Sequence, residues 1–162
     1  MSRRGWYAVG GVTLVVAGAV LVGMARLGAP DPVDVGFPAP EFQARRLDDA
    51  SRVVRLSDYR GSVVLLNIWA TWCDPCRSEM PSIERRYREL GPKGLKVLAL
   101  SIDDAGAEGD TENFAREFGL TFEILHDPTG RIQQTYQLIG VPQSFVIDKA
   151  GVIRKKAFES DW

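Results

Sequence analysis

The sequence predicts an α/β sandwich, and three observations carry that prediction. Two continuous apolar runs, residues 63–68 (VVLLNI) and 95–102 (LKVLALSI), read as strands buried on both faces. Between them, residues 75–90 start at a proline and stop at Gly91-Pro92, the punctuation of a helix. Strands and helices then keep alternating, which marks a mostly three-layer α/β domain. With 162 residues the chain has room for one domain and a short appendage, not for two domains.

The appendage comes first. Residues 5–25 carry no charge and lie between Arg3-Arg4 and Arg26, with Trp6 and Tyr7 at one edge. As a helix this run is roughly 31 Å long, enough for a bilayer core of about 30 Å. A cleaved signal peptide is the alternative, but its apolar region is usually about 7–15 residues and ends in small residues. No cysteine follows the run, so a lipid-attached lipoprotein is excluded. The expected organisation is a cytoplasmic N-terminus and membrane anchor over residues 1–27, a stiff tether with four prolines over 28–41, and a domain over 42–162. Arginines before the run and Asp31 and Asp34 after it put the domain on the extracytoplasmic side, by the positive-inside bias.

Along the body, residues 42–55 with the Asp48-Asp49-Ala50-Ser51 turn predict a small β-hairpin. After the first buried strand come two tryptophans, the cysteine pair and the 75–90 helix. The second buried strand follows, then a short helix over 110–118 that stops at Gly119. A strand is expected at 121–125, a turn at 127–130 that leaves His126 at its edge without a role, and a helical stretch at 132–137. Residues 144–148 and 151–156 predict a closing hairpin across Lys149-Ala150.

Composition narrows the function. With 45% hydrophobic and 25% charged residues, wholesale disorder is excluded. Arg3, Arg4 and Arg26 precede residue 30 while every Asp and Glu follows it, so the body is mildly acidic and nucleic acid is a poor partner. Two cysteines and one histidine cannot build a four-ligand zinc site, and at most one disulfide can form. No bound cofactor or metal is expected.

The chemistry sits in Cys73-Asp74-Pro75-Cys76. Two intervening residues let one helical turn bring the sulfurs together, so the pair opens and closes as a disulfide. Cys73 falls at the helix N-terminus, where free amides and the macrodipole favour a thiolate, and is the expected nucleophile. Cys76, one turn in, is the expected resolving thiol. A structural disulfide over so short a loop adds little stability. Covalent haem attachment would need His at position 77, which is Arg.

Residues 67–81 (NIWATWCDPCRSEMP) resemble the thioredoxin superfamily, and more narrowly the membrane-anchored TlpA/ResA-like thiol–disulfide oxidoreductases, which include cytochrome c maturation reductases. Residues 36–42 (GFPAPEF) and 136–148 (YQLIGVPQSFVID) match as well. The resemblance implies a thioredoxin-like fold with an N-terminal hairpin. It makes Pro142 a cis-proline facing the cysteines and Val141 a backbone partner for substrate. Trp72, Pro75 and Val141 make up the implied substrate-binding set. Trp69 is a candidate for the same surface and equally for the core.

Thioredoxins proper have a buried Asp six residues before the first cysteine; here that residue is Asn67. The TlpA/ResA-like proteins instead place a Glu three after the second cysteine, here Glu79, a candidate proton relay for the resolving thiol. Its alternative is a solvated carboxylate paired with Arg85 or Arg86, and Asp74 and Arg77 are read as solvated charges. The fold also implies a closing helix, for which the residues after 158 are too few, so the sequence reads as truncated.

The expected function is extracytoplasmic reduction of protein disulfides, with apocytochrome c a candidate substrate and a membrane electron donor restoring the dithiol. A disulfide-forming oxidant of the same fold is the alternative. A peroxidase would want Thr three before the cysteine, where Ala70 stands, and copper chaperones resembling this fold use CxxxC.

Overall fold

The computed structural model describes residues 32–158. The expected membrane anchor and the closing-helix question fall outside these residues. Among the described residues, no helix is long and apolar enough to cross a membrane.

Among the described residues, seven strands form one sheet; numbered in chain order, they lie in the spatial order second, first, fifth, fourth, third, sixth, seventh. The hairpin is β1 (Gln43–Arg46) and β2 (Val53–Arg55), antiparallel and shorter than its 42–55 span. A 3-10 turn at Leu56–Tyr59, not foreseen, leads to β3 (Val63–Trp69). Strand β3 pairs parallel with β4 (Leu95–Ser101), Leu66 opposite Leu98, and both are almost wholly buried, as unbroken apolar runs require. Strand β5 (Glu123–His126) extends the parallel part. Strand β6 (Gln143–Ile147) pairs antiparallel with β3, and β7 (Ile153–Phe158) pairs antiparallel with β6 at the edge. At their turn Gly151 has φ +81°, and a Cβ there would strike the Arg60 guanidinium that donates to the Ala150 carbonyl.

Helices α1 (Asp74–Leu90) and α2 (Glu108–Glu117) cover one face, where Cys76, Met80, Ile83 and Phe114 pack on Leu65, Trp69 and Val97. The short α3 (Arg131–Thr135) lies on the other, where Ile132 and Tyr136 join Phe42, Leu66, Leu98 and Phe145. This is the expected three-layer arrangement.

Two expectations need correction. The stiff tether expected over residues 28–41 does not stand apart from the domain from residue 33 onward, since Val33 and Ala39 are buried in the core. Its backbone pairs along β7: Gly36 N–H donates to the Ile153 carbonyl, Ile153 N–H to Phe37, and Ala39 N–H to Gly151. An edge strand offers unpaired amides and carbonyls, and this segment satisfies them despite its prolines. The histidine expected at a turn edge is instead the buried last residue of β5, because that strand starts and ends later than its apolar pattern suggested.

Candidate active site

The turn between β3 and α1 carries the cysteines. Cys73 caps the helix in an extended conformation, and the Cys76 amide donates to its sulfur at 3.2 Å. The Arg77 amide donates to the Cys73 carbonyl at 3.2 Å, closing the first turn. Pro75 occupies the first turn, where no amide hydrogen is needed. Cys73 and Cys76 are joined as a disulfide with their Cα atoms 5.2 Å apart. Both are buried, Cys76 completely.

A helix N-terminus concentrates unpaired amides around the Cys73 sulfur. When the disulfide opens, that partial positive charge favours a thiolate at Cys73. Cys76 lies within the helix and is wholly buried.

The substrate-loop residues stand where the sheet register puts them. Gln143 pairs with Ile68, so Pro142 lies beside the C-terminal end of β3, from which the cysteine turn departs. The Val141–Pro142 peptide is cis, as the resemblance implied. Val141 is half-buried and packs against the core cluster that contains both cysteines. Trp72 is 68% exposed and Pro75 is exposed, so two apolar side chains beside the disulfide face solvent.

The two tryptophans part company. Trp69 is fully buried, its ring 4.5 Å from that of Phe114, and belongs to the core and not to the substrate surface. The reason is register: β3 runs through residue 69, and its alternation sends Trp69 inward with Leu65.

Glu79 is 1% exposed, not a solvated partner of Arg85 or Arg86. Helical spacing explains its direction, since Cys76, Glu79, Met80 and Ile83 share the inward face of α1. The amide of Asn67, itself fully buried on β3, donates to Glu79 Oε1 at 2.7 Å and to Ser144 Oγ at 2.9 Å. A carboxylate, a strand amide and a β6 hydroxyl thus meet behind the cysteines.

Arg77 also departs from its solvated reading. Its guanidinium lies 5.1 Å from the centroids of both Phe114 and Phe118 and pairs with Glu117 at 2.6 Å, clipping α2 to the first turn of α1. Asp74 is exposed, in line with its solvated reading.

Sequence reasoning missed Asp103. This buried residue, just after β4, accepts from the Thr71 amide at 3.1 Å and from the Thr71 hydroxyl at 2.8 Å. Its neighbour Ser101 donates to the same carboxylate at 2.6 Å. No short motif signals a contact made between turns that are 32 residues apart. A cavity of about 680 Å³, bordered by Phe42, Leu100, His126 and Ile132, includes neither cysteine.

A cysteine pair closed at a helix N-terminus, on a mixed sheet with a cis-proline loop at the neighbouring strand, defines a thioredoxin-like thiol–disulfide oxidoreductase. The chain belongs to the AhpC/TSA family, whose sequence model matches residues 35–156. It is 38% identical over 123 residues to "Thiol-disulfide oxidoreductase ResA" of Oceanobacillus iheyensis, a match covering 75% of this chain and 63% of that protein, so it spans less than two thirds of that relative. It is 33% identical to the protein of the same name from Bacillus cereus, over 88% of this chain and 81% of that one. Among solved structures, a Chlorobium tepidum protein assigned as the thiol:disulfide interchange protein DsbE superposes with a TM-score of 0.71 at 34% identity, covering 78% of this chain and 86% of that one.

Proposed function

We propose that this protein reduces disulfides in other proteins on the extracytoplasmic side of the membrane, held there by residues 5–25. The observation that carries the reading is the Cys73–Cys76 pair itself, with the Cys73 sulfur under the amides of a helix N-terminus and Cys76 wholly buried behind it.

In the dithiol form, the Cys73 thiolate attacks one sulfur of a substrate disulfide. A mixed disulfide forms, and the first substrate thiolate leaves and takes up a proton. Cys76 then attacks the Cys73 sulfur, which closes the intramolecular disulfide and releases the second substrate thiol. Two electrons pass to the substrate. Glu79, one turn along the same helix face, takes the Cys76 proton and passes it to the departing thiol. Trp72, Pro75 and the backbone of Val141 hold the substrate chain beside Pro142. No bound cofactor takes part.

The relatives' names support thiol–disulfide chemistry, and the resemblance to the TlpA/ResA-like proteins supports the direction and the setting. A membrane electron donor restores the dithiol, and the CxxCH segment of apocytochrome c is a fitting substrate. Two rival chemistries lose their residues. The Thr71 hydroxyl, one place away from where a peroxidase would want it, is bound to Asp103. A copper chaperone would want a histidine besides two thiols, and the single histidine of the chain, His126, has Nε2 on the Asp103 carbonyl at 2.8 Å.

Trapping tests the assignment of roles. Cys76→Ser with a disulfide-containing CxxCH peptide should accumulate a mixed disulfide through Cys73, visible by mass spectrometry. Cys73→Ser should accumulate none; trapping by Cys73→Ser instead would reverse the two roles.

A further inference from the structure

We propose that Asp103 is a positioning residue for Cys73, acting through Thr71; the inference rests on the thiol–disulfide reading above. The Ala70-Thr71-Trp72 turn must hold Cys73 at the mouth of α1, yet no strand or helix contains it. Within the turn, one backbone bond helps, from the Cys73 amide to the Ala70 carbonyl at 3.2 Å. The remaining anchor is lateral. Thr71 gives both of its donors, amide and hydroxyl, to the Asp103 carboxylate.

That carboxylate is itself fixed from every side. Ser101 at the end of β4 donates to Oδ2 at 2.6 Å, and Thr111 on α2 reaches the same oxygen at 3.4 Å. The Asp103 amide donates to Ser101 Oγ at 3.1 Å. Its backbone carbonyl accepts from His126 Nε2 on β5 at 2.8 Å. Asp103, Ser101 and Thr111 are all buried. The carboxylate therefore references the cysteine turn to β4 and α2, and the Asp103 backbone carbonyl ties the same residue to β5.

The chemistry demands a carboxylate. Thr71 supplies two donors and Ser101 one, while the single Thr111 hydroxyl proton has the Ala107 carbonyl closer at 3.0 Å, and an acceptor with two oxygens serves this set. Asparagine has the same shape but would present an NH2 group to one of these donors. Losing the Thr71 anchor lets the Cys73 sulfur wander within its turn, and displacement of a reacting group by about 1 Å can cost as much as a hundredfold in rate.

The test is a double-mutant cycle on Asp103→Asn and Thr71→Val, run well below the melting temperature of every variant. Each single change should lower kcat/KM for disulfide reduction about tenfold, and the double variant should be no slower than either. The alkylation rate of Cys73 by iodoacetamide in the reduced protein should fall in parallel, and it reads Cys73 without presuming that reduction is the physiological direction. Thr71→Ser, which keeps both donors, should recover most of the rate lost in Thr71→Val. Losses that multiply to about a hundredfold in the double variant would overturn the proposal. So would an Asp103→Asn protein that melts earlier while both rates stay within twofold. Should Asp103→Asn fail to fold, the Thr71 pair decides: equal rates for Thr71→Val and the parent chain would refute the anchor. If the parent chain turns over no disulfide at all, the reductase reading fails, and alkylation still decides the anchor.

Discussion

Asn67 donates one amide nitrogen to Glu79 at 2.7 Å while both residues are buried between β3 and α1. That bond places a carboxylate one helical turn beyond the resolving cysteine and stops it from swinging away. The same nitrogen reaches Ser144 on β6, two residues after the cis-proline, so the strand that brings the substrate loop is referenced to the same point.

A proton relay at Glu79 should show itself in the resolving step. Glu79→Gln keeps an oxygen for Asn67 and nearly the same volume, so the fold should survive. The rate at which the mixed disulfide resolves should fall by about one hundredfold, the low end of positioned acid–base catalysis. Stopped-flow release of the second thiol measures this, and an unchanged rate would remove Glu79 from the mechanism.

The tryptophans should separate core from surface. Trp69→Ala empties a buried site against Phe114 and should cost about 3–5 kcal/mol in urea unfolding. Trp72→Ala should stay within about 0.5 kcal/mol of the parent chain, since its side chain is mostly in water. Emission that changes with the state of the disulfide should lose its solvent-exposed component in the Trp72 variant.

Stability should carry a pH signature from Glu84. This buried carboxylate on α1 accepts from Arg88 at 2.6 Å and from the hydroxyl and amide of Thr121 at 2.7 and 2.9 Å, tying the helix to the segment before β5. Burial pushes its pKa up, but the bonds from Arg88 and Thr121 outweigh burial and hold it below the usual carboxylate value. A lowered folded pKa stabilises the fold above the unfolded value, and that stabilisation is lost as pH falls through the folded one. Glu84→Gln should therefore cost about 1–2 kcal/mol near pH 7. The gap to the parent chain should close as the pH is taken below the folded pKa of Glu84. A gap of constant size down to low pH would contradict the ionic reading.

Legibility in the sequence followed the range of the signal. The buried strands and α1 announced themselves in runs and punctuation a few residues long, and the cysteine pair in a four-residue motif. The inward turn of Glu79 was readable too, since it shares a helix face with Cys76, Met80 and Ile83. What the sequence hid depends on partners far along the chain. The aromatic seat of Arg77 is supplied by Phe114 and Phe118 on another helix, and the anchor of Thr71 by a residue beyond the next strand. The tether misled for a different reason: prolines predict an extended segment, and an extended segment is also what an edge strand can dock.

The central claim is that Cys73 and Cys76 form a reducing pair, and an equilibrium redox titration against a thiol buffer tests it most directly. The full chain in detergent, followed by tryptophan emission, should give a potential near or below that of thioredoxin, about −270 mV. A value close to that of the strong oxidant DsbA, about −120 mV, would contradict the account and make the protein a donor of disulfides.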